Sequence, residues 1–326
     1  MSVRTRALVC GVAVAAVAGL SAPAAAAAPP IIDAHLLVHF DLASGQQPEN
    51  IAVEPDGAVD LTFSTAHQVA RISPAGAVRI LATLPDPGTD VTPVLGVPFL
   101  TGIVRSHDGT IYVGYATGTA DLTGIWRVTP AGSVSRIVPL PANGLPNGLA
   151  LDERTGQFYV ADSVLGTIWR APLAGGAAVA WASDPALRSA GFLGANGIKV
   201  HDGAVWVSNT DQGTLLRIPV RPNGSTGAVT PRVTGLAGPD DFAFTGRGDD
   251  MLVALDGANE VAFVATGTAP TIVLTAQDGL SNPTSIGVRG TTVYVPDAAY
   301  LTLQDPNLLT ARLDGKGVLP AGEGTR

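Results

Sequence analysis

Apolar and polar positions alternate in short bursts along this chain. Beyond the first thirty residues, brief runs rich in β-branched and aromatic side chains are cut by Gly, Asp, Asn and Pro. No stretch there sustains the 3.6-residue period of an amphipathic helix, so the pattern predicts strands and few helices. One unit recurs six times. A short apolar strand meets a turn pair, and a β-branched and aromatic strand follows. The turn pairs are Asp56-Gly57, Asp108-Gly109, Thr155-Gly156, Asp202-Gly203, Gly248-Asp249 and Arg289-Gly290. Such pairs supply the positive φ angles that a tight hairpin needs. The second strands are predicted at Ala58–Phe63, Thr110–Gly114, Gln157–Ala161, Ala204–Ser208, Met251–Ala254 and Thr292–Val295. Third strands are predicted at Gln68–Ile72, Gly124–Val128, Thr167–Ala171, Thr214–Ile218, Glu260–Val264 and Leu308–Leu313.

The first strands begin near Glu49, Thr101, Asn147, Asn196, Asp240 and Pro283, at intervals of 52, 46, 49, 44 and 43 residues. Four short antiparallel strands in each interval are what a β-propeller blade requires. The expected fold is an all-β, six-bladed β-propeller. The last repeat has only three clear strands, and an open ring would expose two sheet edges. His35–Asp41 (HLLVHFD) is a spare strand before the first repeat. It is expected to complete the last blade and close the ring. One propeller domain over residues 29–314 follows, with a loose Gly-rich tail at 315–326.

The leader changes the picture of the rest. Arg4 and Arg6 precede an uncharged apolar stretch, Ala7 to Leu20, and small residues then offer cleavage sites. Residues 1–28 read as a secretory signal peptide, because the apolar run is short for a membrane span. The expected location is therefore extracellular, with no membrane attachment once the leader is removed. Removal takes away two Arg, shifting the formal charge from −8 to −10, and the only cysteine, Cys10. An acidic chain without a basic run lacks the footprint of a nucleic-acid binder. Without cysteine it can form neither a disulfide framework nor a thiolate zinc cluster.

The first strand of a propeller blade lines the central channel, so residues at its start converge near the axis. Glu49 (PENIAV), Asn147 (PNGLAL), Asn196 (ANGIKV) and Asp240 (PDDFAF) occupy the same repeat position in blades one, three, four and five. Two carboxylates and two carboxamides, with no His or Cys among them, favour calcium or magnesium over zinc or copper, with another divalent cation the alternative. Strand alternation predicts that the adjacent Asp240 and Asp241 point in opposite directions, so that only one of them faces the axis. The motifs of serine hydrolases, zinc proteases, P-loop enzymes and dinucleotide folds are absent from the sequence.

With these motifs the chain resembles the SMP-30/gluconolactonase family, in the wider group of six-bladed calcium-dependent hydrolases that includes diisopropylfluorophosphatase and the paraoxonases. The resemblance spans about His35 to Asp314. It rests on Pro48-Glu49, Asn147-Gly148, Asn196-Gly197 and Pro239-Asp240. It implies that Glu49, Asn147, Asn196 and Asp240 hold a catalytic calcium. Asn147 would also contact a small-molecule substrate, and Asp240 would be the catalytic base or nucleophile. Sugar-lactone members usually carry a Trp four residues after the blade-one Glu, where this chain has Val53. They tend to place an Arg before the blade-three Asn, where it has Leu145 and Pro146. Phe99, Leu100, Phe192 and Leu193 precede the anchors of blades two and four, and suit an apolar ester or lactone. A non-catalytic propeller with a structural calcium is the competing reading, and a strictosidine-synthase-like enzyme a weaker one. Oligomeric state is not legible.

Overall fold

The computed structural model describes residues 31–314. The leader at 1–28, with Cys10, and the tail at 315–326 lie outside the described residues. Six four-stranded antiparallel sheets make the six expected blades, each ordered from the axis outward. Blade one comprises Pro48–Val53, Val59–Phe63, Gln68–Ile72 and Val78–Thr83. Blade two comprises Phe99–Arg105, Ile111–Ala116, Gly124–Val128 and Val134–Pro139, and blade three Pro146–Asp152, Gln157–Asp162, Thr167–Pro172 and Val179–Ser183. Blade four comprises Ala195–His201, Ala204–Asn209, Thr214–Pro219 and Thr230–Val233, and blade five Pro239–Phe244, Met251–Leu255, Glu260–Val264 and Thr271–Leu274. Blade six takes Gly287–Arg289, Thr292–Asp297 and Asn307–Leu313 from the end of the chain and Ile31–His39 from its beginning. Ile31 faces Leu313 and His39 faces Asn307 across this last, antiparallel pair. The N-terminal strand thus closes the ring. Among the described residues the only helical pieces are three single 3-10 turns.

The local cause of the hairpins is as expected. Gly57, Gly109, Gly156, Gly203, Gly248 and Gly290 all have φ between +51° and +91°. That region strains any residue with a Cβ. The core is distributed rather than central. Six hydrophobic clusters lie one in each interface between neighbouring blades. Leu61 and Phe63 meet Tyr294 and Leu308 where blade one joins blade six, for example. Each fully buried Leu or Phe contributes roughly 1.5–3 kcal/mol. Ring closure therefore adds a sixth apolar interface that an open array would expose.

Around the axis the inner strands approach side by side without a shared ladder. Buried hydroxyls bridge them instead. Thr62 donates to the Thr101 carbonyl, Thr101 to Pro146, Ser163 to Ala195, Ser208 to Asp240 and Thr284 to Pro48. The glycines after the two anchor asparagines serve this approach. Neither Gly148 nor Gly197 has positive φ, but a Cβ on Gly148 would collide with the Asn196 carbonyl, and one on Gly197 with Asp241. These Asn-Gly pairs are axial strand residues, and not hairpin turns.

Candidate functional site

Each of the first five inner strands carries an irregularity at its anchor. Pairing slips between Pro48 and Asn50, Leu100 and Ile103, Pro146 and Leu149, Ala195 and Ile198, and Pro239 and Phe242. A β-bulge of this kind re-aims side chains and bends the strand. Glu49, Asn147, Asn196 and Asp240 all sit at these slips and all line one cavity of about 520 Å³. Thr101, at the same position in blade two, instead donates its hydroxyl to the Pro146 carbonyl. The blade-six anchor shifts by one residue from the expectation. Pro283 pairs with Asp297 as Pro48 pairs with Phe63 and Pro146 with Asp162, so Thr284 is the equivalent position. It too serves an interblade carbonyl.

The bulge also overturns the expected divergence of Asp240 and Asp241. Alternation fails where an extra residue enters the strand, and both carboxylates turn inward at different depths. Asp240 lines the cavity. Asp241, only 1% exposed, accepts hydrogen bonds from Lys199 Nζ at 2.6 and 2.7 Å. Asn50 Nδ2 and Ser285 Oγ also donate to it, at 3.1 and 2.6 Å. It neither faces solvent nor caps neighbouring backbone.

In the cavity, Asn196 Nδ2 donates to Asp240 Oδ1 at 2.6 Å and to Thr210 Oγ1 at 3.0 Å. Asn147 Nδ2 donates to Ser163 Oγ at 3.2 Å. Both carboxamides are thereby oriented by their NH2 groups. Neither Oδ1 has a hydrogen-bond partner among the described residues, so two amide oxygens are left as acceptors. Glu49 Oε2 accepts from the Tyr300 hydroxyl at 2.6 Å.

Burial pushes Glu49 up to about 8; the Tyr300 hydroxyl opposes the shift, and Asp256 and Asp241 add repulsion. Asp240 is held well above the usual carboxylate range by burial, then by repulsion from Glu49, Asp256 and Asp241. Asp256 is pushed to about 7 by burial. Two carboxyls that each resist ionising, beside two free amide oxygens, fit a hard divalent cation. Among the described residues no three His, Cys, Asp or Glu side chains are grouped to hold a metal. The donor set is complete only with the asparagine oxygens.

Two residues of this site carry no mark in the sequence pattern. Tyr300 lies in the connection 298–306 of blade six and bridges Glu49 and Ser64. Asp256 opens the hairpin after Met251–Leu255 and also lines the cavity. One buried side chain positions both segments. Asn282 Nδ2 donates to the Asp256 carbonyl, and Asn282 Oδ1 accepts from Leu301 N and Thr302 N. The motif NPTSIG contains Asn282, but nothing in its spacing marks this role.

The mouth is apolar, as the sequence suggested, though differently composed. Phe99, Phe192 and Leu193 line it with Leu95, Val97, Leu301 and Leu303. Leu100 does not. It is fully buried between blades one and two, because the strand leading to the bulge turns alternate residues to opposite faces. Phe192, Leu301 and Leu303 are 52%, 66% and 67% exposed, a cost in water that an apolar ligand would relieve.

No protein-family model matches the chain, and no curated protein matches it in sequence. Solved structures do resemble it. Regucalcin from Agrobacterium tumefaciens, described as a calcium-binding protein, is 14% identical with a TM-score of 0.62, covering 86% of this chain and 93% of its own. A luciferin-regenerating enzyme is 13% identical with a TM-score of 0.63, covering 85% and 96%. Virginiamycin B lyase from Staphylococcus aureus is 17% identical with a TM-score of 0.59, covering 86% and 99%. At these identities the likeness establishes a shared propeller fold. The SMP-30/gluconolactonase-type propellers that the motifs resemble are among these neighbours.

Proposed function

We propose that this chain is an exported, metal-dependent hydrolase that acts on a small, largely apolar lactone or ester. The observation that carries the reading is the convergence of Glu49, Asn147, Asn196 and Asp240 from four blades on one cavity. The calcium-binding description of regucalcin favours calcium as the ion. Glu49, Asn147, Asn196 and Asp240 would hold it. When bound, such an ion supplies Lewis-acid polarisation of an acyl or phosphoryl oxygen.

The chain's own groups support the remaining work. Asn196 fixes Asp240 through Oδ1, so the carboxyl keeps one orientation, and burial makes it a stronger proton acceptor than a solvated carboxylate. In this reading Asp240 takes a proton from water or attacks the substrate directly. Tyr300 holds Glu49, Asn147 meets the substrate, and the apolar rim excludes water from its acyl portion.

Melting curves with EDTA and with added calcium give the first check, because an ion that binds only the folded state must raise stability. A melting temperature indifferent to both would remove the metal. A screen of aryl esters, aliphatic lactones and organophosphates, with and without calcium, then separates enzyme from binding protein. Calcium-dependent turnover of one class is the expected outcome. Calcium stabilisation without any turnover would instead favour a propeller that keeps calcium as an axial staple.

A further inference from the structure

The repeat supplies an internal control for Asp256. Pro48 pairs with Phe63, Pro146 with Asp162, Ala195 with Asn209 and Pro239 with Leu255. The residue after each partner is therefore equivalent: Ser64 in blade one, Ser163 in blade three, Thr210 in blade four and Asp256 in blade five. The three hydroxyls have structural work. Ser64 binds the Gln47 carbonyl and Tyr300, Ser163 the Ala195 carbonyl and Asn147, and Thr210 the Pro239 carbonyl and Asn196. Asp256 breaks this pattern. Its carboxyl accepts no hydrogen bond from any described residue, although the residue is only partly buried and lines the cavity. Its main chain cannot swing aside easily, because its carbonyl accepts from Asn282 Nδ2 and Asn259 N.

The rest of the cavity does not compensate this carboxyl. Glu49, Asp240 and Asp256 line the wall, and no Lys, Arg or His does so. Lys199 is bound to Asp241. A divalent cation held by Glu49 and Asp240 balances two negative charges and leaves the third. A part-buried carboxylate without a partner is costly, and a ligand that brings a positive charge removes that cost. The exposed apolar rim of Phe192, Leu301 and Leu303 selects the other part of the ligand.

We propose that Asp256 is a cation subsite in this cavity, which therefore takes ligands that join an apolar body to a protonated amine and rejects anionic ones. This rests on the reading of the cavity as the functional site, and it narrows the substrate class to amine-bearing esters or lactones.

Calorimetric titration of the calcium-loaded chain with phenethylamine, phenethyl alcohol and phenylacetate tests it, since the three share a ring and differ in charge. The amine should bind about tenfold more tightly than the alcohol, the scale of one charge-assisted hydrogen bond, and phenylacetate most weakly. Asp256→Asn should erase the preference while keeping the calcium-induced rise in melting temperature. Asp256→Ser restores the hydroxyl of blades one and three and carries the same test should the Asn variant fold poorly. Equal binding of amine and alcohol, no binding of the amine, or a preference that survives both substitutions overturns the subsite. So does loss of the calcium response in Asp256→Asn, which would make Asp256 a metal ligand. If calcium stabilises neither protein but the amine preference still depends on Asp256, the metal reading fails and the subsite stands.

Discussion

Asp240 and Asp241 are neighbours in the chain, and both are almost completely buried, yet they sit in opposite circumstances. Asp241 plugs the channel in an ion pair with Lys199 and accepts further bonds from Asn50 and Ser285. Asp240 faces a cavity that holds Glu49 and Asp256 but no basic side chain. One carboxylate is compensated by a cation and two further donors of the chain, while the other has the Asn196 amide and otherwise the repulsion of neighbouring carboxyls. A buried, paired charge is retained for structure, because breaking the pair leaves an uncompensated ion. Buried like charges facing open space mark a site whose stability has been given up for a ligand.

The largest expected effect breaks the cavity half of this contrast. Asp240→Asn is nearly isosteric and should leave the fold intact, since an amide retains a bond to Asn196. It should lower calcium affinity and reduce any hydrolytic turnover by about 10³-fold or more, because an amide is neither base nor nucleophile at neutral pH. Steady-state kinetics on the substrate class found in the screen reads this directly. Retention of most activity would remove Asp240 from the chemistry.

Next in size is the plug. Lys199→Met leaves Asp241 buried without its cation, and should cost about 3 kcal/mol, the lower end for a broken buried pair because Lys199 is partly exposed. Urea denaturation measures it. Adding Asp241→Asn in the same chain should recover much of the loss, by removing the orphaned charge. Were Lys199→Met as stable as the parent, Asp241 would be no better compensated than Asp240, and the comparison would fail.

The smallest effect is a pH dependence that sharpens the comparison without mutation. Glu49 rises from an ordinary 4.5 to about 8 on folding, and Asp256 from 3.8 to about 7. In the folded state both bind protons that the unfolded chain has already released, so their stabilising contribution is full below about pH 4. It is lost as pH rises toward about 8. With chelator, the melting temperature should therefore fall by a few degrees between weakly acidic and weakly alkaline pH. Calcium held by Glu49 and Asp240 as proposed would replace the Glu49 proton, so its stabilisation should grow over the same interval. A chelated protein whose stability rises with pH there would mean that the cavity acids are compensated after all.

Much of this architecture was written in local pattern. The second and third strands fall within two residues of where β-branched runs place them, because alternation and Asp-Gly turns act over a few residues. The spare strand around His35 closes the ring, since an apolar strand without a partner has one place to go in a five-and-three-quarter-bladed array. Repeat position alone brought Glu49, Asn147, Asn196 and Asp240 to one cavity. Leu100, by contrast, is expected at the mouth from its place before the anchor and lies in the core, because facing depends on the bulge register.

What the chain's order of residues determined by itself was therefore the repeat, the turns and the ring of anchors. Tertiary structure decided which of those anchors face the cavity. The bulge at Pro239–Phe242 turns Asp241 inward beside Asp240, against simple alternation. Tyr300 reaches Glu49 across 251 positions of sequence, and Asn282 ties the Tyr300 segment to the Asp256 hairpin. No period or motif marks these residues, because their roles arise from groups that only ring closure brings together. Charge compensation follows the same rule: Lys199 and Asp241 become partners, and Asp256 is left without one, through packing around an axis that local sequence does not contain.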